Sequence, residues 1–312
     1  MNCCKEKPII ELQAGQKLCK KHFTEYFEDK VHKTITKFDL IGKKENLGVA
    51  VSGGKDSLTL SFILNKLSKR NPKIKIEAIA IDEGIKNYRD KSLITAKEFC
   101  NKHNIKLNIY SFKEEFGMPL DNMLKVLDVK PCTICGIFRR YLLNKKSKEL
   151  RLTKLATGHN LDDECQSIMM NQFKNNIQAS ARLGPKVGVK INKNFVQRIK
   201  PLYLCMEKEV ATYAFVNNLL DEFAECPNVS KSYRAQVRDM MNGFEQKFPG
   251  TKYSIVNSFL HVLPGLKQRF KDEAVNYCMN CGEPASRDKC NACKFADKLN
   301  KAKDKALVKI KQ

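Results

Sequence analysis

Thirteen cysteines occur in this 312-residue chain, and their spacing sorts them into sites. Cys278-x-x-Cys281 is followed, after eight intervening residues, by Cys290-x-x-Cys293. Two such knuckles, the first trailed by a glycine, signal four thiolates around a tetrahedral Zn²⁺. At the front, Cys19-x-x-His22 forms a half-site, with Cys3 and Cys4 as its partners. Adjacent cysteines reach one metal only with strained geometry. Either both ligate Zn²⁺, or one does and a further ligand or water completes the set. Cys132-x-x-Cys135, within PCTICGIFRR, is open to three readings: a redox pair, half a zinc site, or something else. Cys226 stands alone in ECP, and Cys100, Cys165 and Cys205 read as small buried hydrophobes.

A second chemical signal is AVSGGKDSLTL (50–60). A Gly-Gly turn lets the backbone approach an anion closely. Ser57 and the free N–H groups of a helix start then point at it, aided by the helix dipole, and Lys55 adds a mobile positive charge. The string is neither a Walker P-loop nor the dinucleotide fingerprint.

The elements that must position these residues alternate. LGVAVS (47–52), IEAIAID (76–82), LNIYSF (107–112) and KLATG (154–158) read as short buried strands. Helical stretches separate them: one after the glycine loop, one near 90–103, one after the CxxC and one in LDDECQSIMMNQF. That alternation predicts a parallel sheet covered on both faces. Residues 203–270 read as mainly helical.

Composition narrows the partners. Lys and Arg number 57 against 34 Asp and Glu, a net charge of +23, which points to a polyanion and by default to nucleic acid. The bland reading is a lysine-rich surface that is merely solvated. With 42% apolar residues the chain is globular. No segment is long and apolar enough for a membrane span, and MNCCKEKPII lacks a secretory apolar run. The expected location is cytoplasmic, where clustered thiols hold metal or do chemistry rather than form disulfides.

The full string SGGKDS (52–57) after a buried strand resembles the PP-loop of the ATP pyrophosphatases. With AIDEGI (80–85), PCTICGIFRRYLLN (131–144), LATGHNLDDECQSIMMN (155–171) and ECP (225–227), the chain resembles the tRNA 2-thiolation enzymes, the TtcA/TtuA/NcsA group, over nearly its whole length. Cysteine-rich ends bring it closer to the TtuA and NcsA types. The resemblance implies an α/β, Rossmann-like PP-loop core, of the adenine nucleotide alpha-hydrolase kind. It has a helical C-terminal part and two small zinc modules. The expected boundaries are 1–25 for an N-terminal zinc module, 26–272 for the core, α/β to about 202, 273–295 for a C-terminal zinc ribbon and 296–312 for a basic tail.

The same resemblance assigns roles. Ser52, Gly53, Gly54, Lys55, Asp56, Ser57, Ile81, Asp82, Arg139, Gly158 and Asp163 bind ATP, with Asp56 and Asp163 orienting Mg²⁺ or phosphates. An acid in the first turn of a helix, as at Asp163, is also a plain helix-stabilising choice. Cys132, Cys135 and Cys226 hold a [4Fe-4S] cluster, leaving one iron free for hydrosulfide. A persulfide on the CxxC is the competing reading. The implied reaction adenylates the C2 oxygen of a tRNA uridine, wobble uridine 34 by preference over uridine 54 or cytidine 32, and replaces it with sulfur. The sulfur donor is free sulfide or a ubiquitin-like thiocarboxylate, and the resemblance suggests a homodimer. The rival from another class is a zinc-ribbon RNA-binding protein with a degenerate nucleotide site, against which the intact SGGKDS argues.

Overall fold

The computed structural model describes residues 4–190, 194–219, 225–229, 232–273, 276–285 and 287–310. Cys3 lies outside them. The chain opens with a short antiparallel pair, β1 (Ile10–Glu11) and β2 (Lys17–Leu18), and a long helix α1 (Lys20–Lys37). Helix α1 runs through residue 25 without a break and buries Phe23, Phe27 and Val31 in the main core. The expected module boundary at 25 therefore falls inside a helix.

Five parallel strands follow: β3 (Glu45–Ala50), β4 (Ile74–Asp82), β5 (Lys106–Ser111), β6 (Lys154–Ala156) and β7 (Gln197–Ile199). Their order is β5-β4-β3-β6-β7. Helices α2 (Lys55–Arg70), α3 (Arg89–Lys102), α4 (Phe112–Phe116), α5 (Leu120–Val126) and α6 (Pro131–Glu149) connect the first four. Helices α7 (Leu161–Phe173) and α8 (Ile177–Ala181) lead to β7. Then come α9 (Glu207–Val216), α10 (Tyr233–Lys247), α11 (Thr251–Arg269), the pair β8 (Asn276–Tyr277) and β9 (Pro284–Ala285), and α12 (Asn291–Ile310).

Apolar runs rather than alternating patterns form β3 and β4 because both sheet faces are covered. Leu47, Val49 and Ala78 pack with α1, α2 and α9 on one face, while Ile79, Ile81 and Leu155 pack with α5, α6 and α12 on the other. A third apolar cluster joins α7 to α10 and α11. The four expected strands are present. The fifth, β7, is QRI, with one apolar residue among two polar ones, and so offers no apolar run. The CxxC helix begins earlier than the sequence reading placed it: Pro131 is its first residue, so Cys132 and Cys135 sit on its first turns. The C-terminal helix starts within the ribbon and buries Ala292 and Leu299 against the core. Among the described residues no helix is long and apolar enough to cross a membrane.

The winding reverses at the centre of the sheet, since the chain leaves β3 for β4 on one side and later fills β6 on the other. A crevice opens at such a point beyond the carboxyl ends of the strands, and ligands bind there.

Candidate active site

The segment leaving β3 turns at Gly53, where φ is +85° and an added Cβ would lie 2.0 Å from the Ser92 carbonyl oxygen. Only glycine fits both the conformation and the space. Ser57 is buried and fastens the turn: its Oγ accepts from the Ser52 N–H at 3.1 Å and donates to the Gly54 carbonyl at 2.9 Å. It shapes the loop and does not line the cleft, unlike the anion-facing role expected from sequence. Gly158, past the end of β6, lets that strand press on the start of α2; a Cβ there would meet the Asp56 backbone at 2.9 Å.

Lys55 Nζ lies 3.1 Å from Asp56 Oδ2 and 2.9 Å from Glu207 Oε1. Burial alone would lower its pKa, but the two carboxylates outweigh that and raise it. Lys55 is therefore fully charged at neutral pH. Asn160 donates to the other oxygen of Asp56 at 3.0 Å, linking the β3 and β6 exits.

Ser52, Gly53, Gly54, Lys55 and Asp56 line a cleft of about 1260 Å³ that Cys132, Cys135 and Cys226 also line. Burial pushes the Cys135 thiol up to about 12, and it also raises Cys132, with Cys226 adding to both shifts. Raised in this way, the Cys132 and Cys135 thiols hold their protons until a bound cation displaces them. Below them Glu83 is buried and lies between two guanidiniums. Arg89 Nε is 2.9 Å from Oε2, close enough for an ion pair but not aligned as a hydrogen bond, and Arg139 Nη1 is 3.6 Å from Oε1. Arg89 also donates to the Ser52 carbonyl at 2.7 Å, bracing the loop.

Away from the cleft, two groups among the described residues have metal-ligand geometry. The sulfurs of Cys278, Cys281, Cys290 and Cys293 lie within 4.8 Å of one another, as do the ligand atoms of Cys4, Cys19 and His22. Burial raises the Cys278 thiol, but backbone N–H groups of Cys290, Cys281 and Asn280 outweigh it and bring the pKa to about 6. Burial raises Cys281 and Cys293 in the same group, so the four sulfurs share their protons as a set, and four cysteines this close suit a tetrahedral zinc site.

A family model described as the PP-loop domain matches residues 23–242. A "Probable sulfurtransferase" of Methanocaldococcus jannaschii is 37% identical over 97% of this chain and 88% of its own length. The tRNA 2-thiolation protein NcsA of Haloferax volcanii is 31% identical over 95% of this chain and 98% of its own. A tRNA-5-methyluridine(54) 2-sulfurtransferase of Pyrococcus horikoshii is 35% identical over 95% and 93%. This chain belongs to the PP-loop family of tRNA 2-thiolation enzymes. Among solved structures, the U34-tRNA thiolase NcsA of Methanococcus maripaludis, with its [4Fe-4S] cluster, superposes with a TM-score of 0.81 at 32% identity over 95% of both chains.

For a member of this family, the placement of the remaining expected residues is informative. Ile81 is buried in the apolar core and Asp82 caps its own turn, accepting from Gly84 N–H at 2.9 Å; neither lines the cleft. Asp163 does not line it either. It forms a capping box with Asn160 and lies 3.6 Å from Arg234 Nη1. Burial lifts its pKa to about 6, against the pull of Arg234, although a third of the side chain remains exposed. Its neighbour Asp162 does line the cleft, but it is engaged by Lys252 and accepts from the Glu207 N–H at 2.7 Å. His159 is open to solvent, and its Nδ1 is 3.0 Å from Thr157 Oγ1. Although the side chain reaches solvent, partial loss of hydration around the ring and then Lys200, Arg234, Arg198 and Arg139 lower its pKa below the ordinary histidine range. Sequence reasoning missed Glu83, Arg89 and Glu207. Glu83 stood inside the quoted AIDEGI, but nothing local marked it as the acid between two arginines.

Proposed function

We propose that the cleft adenylates the C2 oxygen of a tRNA uridine with ATP and exchanges that oxygen for sulfur, with wobble uridine 34 as the target. One observation carries this reading: the pyrophosphate loop at Ser52–Asp56 and the three thiols of Cys132, Cys135 and Cys226 open onto the same cleft. The loop N–H groups and Lys55 face the phosphates. As the C2 oxygen attacks the α-phosphorus, they offset the charge growing on the departing pyrophosphate. Asp56, which lines the cleft, supplies carboxylate oxygens for Mg²⁺, while Asp163 stays in the α7 capping box behind Asn160, and Arg139 at the cleft wall contacts the nucleotide. The adenylated C2 is electrophilic, and its exchange of oxygen for sulfur releases AMP.

The cysteine-only donor set fits an iron–sulfur cluster, and among the described residues no fourth cysteine lines the cleft. Cys132, Cys135 and Cys226 would hold a [4Fe-4S] cluster, which would supply an iron without a protein ligand as the place for hydrosulfide. Zn²⁺ fits the four sulfurs of the ribbon and the Cys4, Cys19 and His22 group, with free sulfide or a ubiquitin-like thiocarboxylate as sulfur donor and a homodimer as the assembly. A fungal relative from Aspergillus niger, 33% identical, is named a cytoplasmic tRNA 2-thiolation protein, which supports a cytoplasmic location.

Uridine 34 is favoured because the U34-tRNA thiolase aligns over nearly the whole of both chains. A second reading, uridine 54, draws on the relative named for that position. The test is thiolation of native tRNA by anaerobically purified protein with ATP, Mg²⁺ and sulfide, mapped by mass spectrometry. The expected product is 2-thiouridine at position 34, lost in Cys226→Ala together with iron but not zinc. Sulfur at position 54 would establish the second reading. Thiolation by an iron-free protein would replace the cluster with a persulfide on the CxxC.

A further inference from the structure

Helix α6 carries two adjacent arginines with different surroundings. Arg139 faces the cleft and Glu83. Arg140 is exposed on the next face, and its guanidinium folds back over Gly136, where an added Cβ would lie 3.1 Å from Nη1. Gly136 itself lines the cleft, so the Arg140 head reaches the cleft's edge beside the CxxC.

One turn further along, Asn144 clamps the segment that enters β7. It donates to the Asn194 carbonyl at 3.0 Å and accepts from the Val196 N–H at 3.1 Å. Arg140 and Asn144 share a helix stripe, and Val196 and Arg198 share a strand face. Helix and strand run in opposite directions here, so the clamp sets Arg140 opposite Arg198. Two like charges are thereby held together. Burial and then Arg140 lower the Arg198 pKa to about 10; Arg140, though exposed, is lowered by partial loss of hydration around its head and then by Arg139.

Nearby cations are matched: Lys200 to Glu164 at 2.6 Å and Arg234 to Asp163. Among the described residues, the Arg140 and Arg198 side chains have neither an acidic partner nor a hydrogen bond. A fold that brings two guanidiniums together and leaves both uncompensated is complementary to an anion with several oxygens. Arginine's planar fork matches phosphate geometry in particular.

We infer that Arg140 and Arg198 bind a backbone phosphodiester of the RNA strand, next to the nucleotide that enters the cleft past Gly136. The inference rests on tRNA being the substrate. ATP phosphates are the weaker match, because neither arginine lines the cleft that contains the nucleotide loop with its own cation, Lys55.

The test is tRNA binding by the cluster-loaded enzyme, measured by fluorescence anisotropy across a salt series, for wild type, Arg140→Gln, Arg198→Gln and the double variant. Iron content and ATP affinity are read alongside. Loss of the one phosphate contact should reduce the slope of log K against log salt by about 1 and weaken binding roughly tenfold at low salt. Iron content and ATP affinity should stay at wild-type values. An unchanged salt slope in an iron-replete double variant would overturn the site. So would a fall in ATP affinity with an unchanged slope, which would give the pair to the nucleotide. If the double variant loses its iron, Arg140→Gln alone decides, because Arg140 is exposed. Absence of tRNA binding by the wild type would instead overturn the substrate reading on which the site depends.

Discussion

Lys55 shows how far a single residue can be understood from its surroundings. Its two carboxylate partners, at 2.9 and 3.1 Å, are also competitors for any phosphate it must grip. Asp56 is its neighbour in sequence and stays beside it throughout. Glu207 comes from α9, far along the chain, and is 41% exposed, so an incoming triphosphate has to displace it. Glu207→Gln should therefore tighten ATP binding, by up to about fivefold given what a part-exposed pair contributes. Calorimetric titration of ATP measures this directly. Weaker binding in the variant would mean that Glu207 aims Lys55 rather than restraining it. The lysine and its glycines were legible in sequence because the loop is local. Its restraint was not, since nothing in EKEVATYAFV indicates what lies opposite.

At the scale of elements, the cleft depends on the ion-pair tie beneath it. Glu83 leaves the end of β4, Arg89 opens α3 and Arg139 lies on α6, so one buried carboxylate joins three elements. Removing it leaves a buried guanidinium without its counterion, which costs about 3–5 kcal/mol. Glu83→Ala should lower the urea midpoint accordingly with little change in the slope of the transition. A midpoint within error of wild type would show that water or the Ser52 carbonyl suffices for Arg89. The elements themselves were mostly readable: β3, β4, β5 and β6 are apolar runs punctuated by glycine and polar turns. Strand β7 was not, because QRI at the sheet edge is mostly polar and presents no apolar run.

At the scale of the molecule, the cysteine ribbon is part of the core's bracing rather than an appendage. Glu283, beside β9, is buried and accepts hydrogen bonds from Asn144 and Lys148 of α6, the helix that presents Cys132 and Cys135. Phe295 of α12 reaches Phe138 of the same helix, with ring centroids 6.5 Å apart. Disrupting the ribbon should therefore loosen the cluster helix as well. Cys290→Ser is expected to lose one zinc per chain and to lower Tm by several degrees, at about 2–4 °C per kcal/mol for a chain of this size class. Zinc analysis and differential scanning fluorimetry read both. Loss of zinc with an unmoved Tm would mean that Glu283 keeps its place without the metal.

What the sequence determined by itself was whatever depends on neighbours along the chain: the pyrophosphate loop in SGGKDS, the alternation that requires a parallel sheet, the double CxxC at 278–293 and the +23 charge. Only the tertiary structure decided what shares a space. It brings Cys226 to the CxxC, puts Glu207 on Lys55, moves Ser57, Ile81, Asp82 and Asp163 out of the cleft lining and sets Arg140 against Arg198. The reason is the reversal of winding between β3 and β6. It gathers the carboxyl ends of separate strands, and the starts of the helices after them, around one crevice, and spacing along the chain contains no record of that convergence.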